Sequence, residues 1–186
     1  PGSGAVVTTD QVRAELLAHA PEGVTPGKTL MLGLKLEHKP EWHTYWLNPG
    51  DSGLPTTLEW SLPAGVTAGD IAWPTPKKLP VGPMVNYGYE GTLLLPVKVE
   101  VPASFSATSL AVKLQAQWLV CKDVCIPEQG SFALDIPAHA ATAMHGALSV
   151  GGRLGRPMKC TGWLLHETMS RSQPGPAFTP RRASDA

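Results

Sequence analysis

Leucine returns at every second position from Leu30 to Leu36, alternating with Met31, Gly33 and Lys35. A two-residue period places all four leucines on one side of an extended chain, whereas an amphipathic helix would repeat its apolar positions every three and four residues. The segment is therefore a strand with one wet face. The same period recurs at Leu93, Leu95, Val97, Val99 and Val101, at Leu110, Val112, Leu114, Ala116 and Trp118, and at Phe132, Leu134 and Ile136. Weaker runs lie at 12–18, 43–47, 56–62 and 71–73. Glycine and proline, 19 of each, cut the chain into short pieces. Seven or eight short strands without helical stretches between them predict an all-β fold, an antiparallel β-sandwich of immunoglobulin-like type.

Charge excludes one class of function. Lys plus Arg and Asp plus Glu both number 15, so there is no chain-wide basic footprint and no nucleic-acid partner is expected. Residues 138–186 hold six basic and two acidic residues, against nine and thirteen in residues 1–137. A mildly acidic body thus carries a basic tail. The longest uncharged apolar runs, near 29–34 and 92–97, fall far short of a membrane span. We expect residues 1–7 to be a vector-derived scar or flexible start and residues 8–137 to be the domain. Residues 138–186, rich in Gly, Pro and Arg and containing Cys160, read as disordered or non-native. Inside the domain, Pro74, Pro76, Pro80 and Pro83 should forbid regular ladder pairing, so residues 74–91 read as a long loop with Met84, Tyr87 and Tyr89 on it.

The sharpest local feature is Trp118-Leu-Val-Cys121-Lys-Asp-Val-Cys125-Ile-Pro127-Glu128. Four residues of extended strand span roughly 13 Å, while a disulfide needs Cα atoms about 5.5 Å apart. Bonding Cys121 to Cys125 thus requires a turn through Lys122-Asp123-Val124. So small a ring removes little entropy from the unfolded chain, which makes the pair a poor staple and a good reversible switch. Lys122 would favour a thiolate and Asp123 oppose it. A structural disulfide, two inert thiols and half of a metal site are the competing readings. Zinc would want two further ligands at motif spacing, and His38 and His43 sit on strand ends. Cu(I) could take sulfur from Cys121, Cys125 and Met84, which defines the rival function: an immunoglobulin-like module that holds copper or only docks a partner.

Four ordered motifs carry a resemblance. Trp42-His43-Thr44-Tyr45-Trp46 with Asn48-Pro49-Gly50-Asp51-Ser52-Gly53 is followed by Trp73-Pro74-x-Pro76, by Tyr87-Gly88-Tyr89-Glu90-Gly91, and by the cysteine segment. Together they resemble the N-terminal periplasmic domain of the DsbD family of transmembrane thiol-disulfide reductases, on its ScsB-like branch, over about residues 8–137. The resemblance implies a periplasmic domain without cofactor or metal. It would take electrons from the transmembrane part of the same protein and pass them by mixed disulfide to thioredoxin-fold or peroxide-reducing partners, cytochrome-maturation proteins among the candidates. It also implies that Cys125 is the exchanging sulfur and Cys121 the resolving one, and that Asn86, Tyr87 and Gly88 form a cap over them. The proline after Cys125 is expected to interrupt pairing there and leave that sulfur accessible. Trp118 and Pro127 would shape the site, although Trp118 continues the inward face of its strand and is first a core residue. Trp42, Trp46, Trp60 and Trp73 read as packing residues, His43 as a structural histidine, and Asn48-Pro49-Gly50-Asp51 as a turn.

Overall fold

The computed structural model describes residues 4–138. The expectations for 139–186 lie outside the described residues. Eleven strands are present among them: β1 (Val6–Thr8), β2 (Val12–His19), β3 (Thr29–His38), β4 (His43–Gly50), β5 (Thr57–Ser61), β6 (Thr67–Ile71), β7 (Lys77–Val81), β8 (Met84–Glu90), β9 (Thr92–Glu100), β10 (Ser109–Cys121) and β11 (Cys125–Pro137). They form two antiparallel sheets. One has the order β1-β2-β3-β9-β6, the other β11-β10-β4-β8-β7 with β5 also paired to β10.

The alternating runs do what their period requires. Leu16, Leu34 and Leu95 from the first sheet and Leu114, Phe132 and Ile136 from the second are fully buried in one core between the sheets. Leu16 lies opposite Leu34 and Leu34 opposite Leu95, so a single register keeps three strands' apolar sides together. The immunoglobulin-like sandwich expected from the sequence is the fold observed.

Four expectations need correction. The proline-rich stretch is no open loop: β7 and β8 form a hairpin with Pro80 opposite Val85. Proline is tolerated because β7 is the edge of its sheet, where half the N–H groups have no strand to meet. Pro127 likewise stays in the ladder opposite Leu119, within an unbroken β10–β11 register from Ser109/Pro137 to Cys121/Cys125. β11 is also an edge, so the expected interruption does not occur. At the start of the chain, Val6–Thr8 pair with β2, which carries ordered structure into the expected scar. The short strand expected at 71–73 lies instead at Thr67–Ile71, and its register on β9 shifts between Ala68 and Ile71.

Candidate functional site

The β10–β11 hairpin closes through Lys122, Asp123 and Val124, and Cys121 and Cys125 face each other across its last pair. Their Cα atoms are 4.1 Å apart and the sulfurs are bonded. The turn required by the cysteine spacing is the turn found. The two cysteines differ sharply in access: Cys121 is 2% exposed, whereas Cys125 is solvent-exposed beside Val124, itself 62% exposed.

Alternation explains where the pair points. Trp118 and Val120 face the core, so Cys121 shares the outer face of the sheet with Leu119. Cys121 also lies opposite His43 of β4, and two residues on, Tyr45 projects to the same side. An outer face is normally wet. Here His43 is 7% exposed and Tyr45 2%, so something covers them.

The cover is the segment 51–55. Gly53 has φ near +100°, a conformation that favours glycine, and a Cβ there would stand 2.3 Å from the Tyr45 ring. Pro55 forms a bridge with Tyr45. Asn86 holds the segment from below: its Oδ1 accepts from the Ser52 backbone N–H at 3.0 Å and the Ser52 hydroxyl at 3.2 Å, and its amide donates to Ser52 Oγ at 2.9 Å. Asp51 adds two bonds to Val85, accepting from its N–H at 2.7 Å and donating its own N–H to its carbonyl at 3.1 Å. This folding-over is possible because β4 leaves register with β8 after Tyr45, taking five steps to Gly50 while β8 takes two to Asn86.

The Tyr45 hydroxyl is 3.8 Å from Cys125 Sγ and 3.3 Å from His43 Nε2. A disulfide sulfur has no proton, so the phenol is the donor toward Cys125. When the phenol donates there, its oxygen accepts from a His43 that carries its proton on Nε2. Burial keeps both rings neutral. It pushes the Tyr45 phenol above its ordinary range and keeps it protonated, and it lowers the His43 imidazole, an effect slightly opposed by Glu90, and keeps it neutral. Lys122, weighed above as a thiolate-favouring charge, donates to Glu41 at 2.6 Å in an exposed pair.

The other site residues expected from the sequence are placed as follows. Asn86 is buried and clamps Ser52. Gly88 lies opposite Tyr45, where a Cβ would come within 2.1 Å of the Thr44 carbonyl, so only glycine lets β8 approach β4 there. Tyr87 packs edge-on against Trp46, ring centroids 6.4 Å apart, and is half exposed. The aromatic residue that reaches the cysteine pair is Tyr45, through its hydroxyl. Trp118 is buried and donates from Nε1 to Glu128 at 2.9 Å, and Glu128 also accepts from Thr9. Pro127 is exposed and lines a groove of about 440 Å³ with Leu54, Pro55, Leu119 and Gln129. Met84, offered above as a copper ligand, is the first residue of β8 at the β7–β8 turn, and β4 lies between that strand and β10. Tyr45, Ser52 and Gly53 were not singled out from the sequence. They stand in the sequence only within the runs that carry the resemblance, where Trp42 and Trp46 read as packing residues and Asn48-Pro49-Gly50-Asp51 as a turn.

The molecule is an immunoglobulin-like sandwich with a disulfide at the tip of its β10–β11 hairpin. The family model described as "Thiol:disulfide interchange protein DsbD, N-terminal" matches residues 13–137, and the chain belongs to this family. It is a thiol:disulfide interchange domain. Among solved structures it is similar to the N-terminal periplasmic domain of ScsB from Proteus mirabilis, with 23% identity and a TM-score of 0.54 over 72% of this chain. It spans about half of that structure, 52%. The yeast GGA1 GAE domain–P21 structure also aligns, at 14% identity and TM-score 0.36 over 69% of this chain and 96% of that one. No curated protein matches the chain.

Proposed function

We propose that this domain is the periplasmic reductase module of a membrane protein, and that Cys125 exchanges while Cys121 resolves. The observation that carries this reading is the asymmetry of the pair: an incoming sulfur can reach Cys125 and not Cys121.

The chemistry balances without a cofactor. In the reduced domain the Cys125 thiolate attacks a partner disulfide, forming a Cys125–partner bond and releasing one partner thiolate. The Cys121 thiol then loses its proton and attacks Cys125 Sγ. The intramolecular disulfide forms and the second partner thiolate leaves, so two electrons pass to the partner. The transmembrane part of the same protein would restore the dithiol. Thioredoxin-fold and peroxide-reducing proteins are the partners that fit, because both present a disulfide or an oxidised cysteine at their surface. Tyr45 supports the first step, since a phenol that donates to Cys125 favours its thiolate.

The experiment is cysteine trapping. Cys121→Ser should accumulate a mixed disulfide through Cys125 with a thioredoxin-fold partner, and Cys125→Ser should accumulate little. Adducts read by peptide mass spectrometry mainly at Cys121 would reverse the roles. An oxidised partner left unreduced by the reduced domain would overturn the reductase assignment.

A further inference from the structure

We infer that Asn86 is a positioning residue for the exchange reaction: through Ser52 and Gly53 it holds the Tyr45 hydroxyl against Cys125 Sγ. The inference rests on the reading that Cys125 is the exchanging sulfur, and it assigns a role to Asn86, three strands away from that sulfur in the sheet.

Each link is local and physical. Asn86 is 1% exposed and spends its carbonyl and amide on Ser52 in three hydrogen bonds. A buried amide with one neighbour satisfying both ends is a rigid pin, because each lost bond leaves a buried polar group unpaired. Ser52 is chain neighbour to Gly53, whose α-carbon lies against the Tyr45 ring. Tyr45 is thereby confined on one side by the loop, and its backbone is paired with Gly88, which lets β8 close on β4. Its one polar atom is left facing Cys125 and His43. Without the pin, segment 51–55 has only the Asp51–Val85 bonds to hold its start.

The test reads Cys125 alone, in a Cys121→Ser/Cys160→Ser background, by the pH dependence of alkylation with iodoacetamide. The titratable and charged groups around Cys125 are Tyr45 and His43 on β4, Glu90 on β8 opposite His43, Glu41 and Lys122 in their pair, Asp123 in the turn and Glu128 on β11. Tyr45→Phe removes one of them. Asn86→Ala and Ser52→Ala remove none.

Loss of the phenol should raise the alkylation midpoint by about one pH unit. A smaller thiolate fraction, partly offset by the higher nucleophilicity of a more basic thiol, then slows alkylation near pH 7 roughly threefold. Asn86→Ala and Ser52→Ala should each move the midpoint in the same direction and slow the reaction about twofold. Neither should add anything in the Tyr45→Phe background. Ser52→Ala leaves the sheet intact, so it decides the matter if Asn86→Ala folds poorly. An unshifted midpoint in both variants, or shifts that add fully to that of Tyr45→Phe, overturns the inference. Failure of Cys125 to form mixed disulfides would overturn the exchange reading instead, and the midpoint comparison would still report on Asn86.

Discussion

The two sheets of this domain are built differently. In the β2–β3–β9 part of the first sheet the registers run unbroken, from Val12/His38 to His19/Met31 and from Thr29/Glu100 to Glu37/Thr92. In the β4–β8 part of the second sheet, three ordinary pairs are followed by a shift, and the chain that leaves the ladder folds over the outer face. The regular region buries apolar residues between the sheets. The irregular one buries polar residues, His43, Thr44 and Asn86, beside the strand that ends in Cys121. Regular pairing spreads energy over many equivalent contacts, so it makes a scaffold. A break in pairing releases a segment that can cover a reactive group, at the cost of a few special residues.

That contrast can be broken first at the scaffold. Leu34 is fully buried at the centre of the regular sheet, and Leu34→Ala should cost about 3 kcal/mol of stability in denaturant unfolding. The rate at which a small thiol reduces the folded domain should stay as it was, measured well below the unfolding midpoint. A large change in that rate would mean that scaffold and site are not separable.

At the irregular region the balance should invert. Gly53→Ala places a methyl where the Tyr45 ring stands and forces a non-glycine residue into positive φ, for a cost of about 1–3 kcal/mol. Here reduction of the disulfide by dithiothreitol should change severalfold even though less stability is lost. A variant that loses stability with unaltered exchange would reduce segment 51–55 to packing.

The smallest effect concerns pH. Burial lowers the imidazoles of both His43, on the site side, and His38, which bonds the Gly91 carbonyl and Thr44. A histidine whose folded pKa lies below its unfolded value contributes stability that is fully present above the unfolded value, near 6.5, and is lost as pH falls toward the folded one. The domain should therefore unfold at lower denaturant concentration at pH 5 than at pH 7.5. His43→Gln should flatten part of that dependence, and an unaltered slope in that variant would remove His43 from the account.

Parts of this molecule were open to reading before any fold was known. The leucine and valine alternations of β3, β9 and β10 define strands and their buried sides, because side-chain direction in a strand is a local property of the backbone. The cysteine spacing demands a turn at Lys122–Val124 by length alone, and the turn is there. The hairpin of β7 and β8 was not legible, because proline's exclusion from a ladder depends on whether the strand is central or an edge, and strand order is not a local property. The same holds for the contact that matters most to the site. Nothing between Trp42 and Gly53 announces that β4 will lie beside β10, so nothing there shows that the Tyr45 hydroxyl will meet Cys125, 80 residues on. Sequence periods determine which residues are buried within a strand. Which strands become neighbours, and hence which buried hydroxyl meets which sulfur, was decided only when both sheets closed around one core.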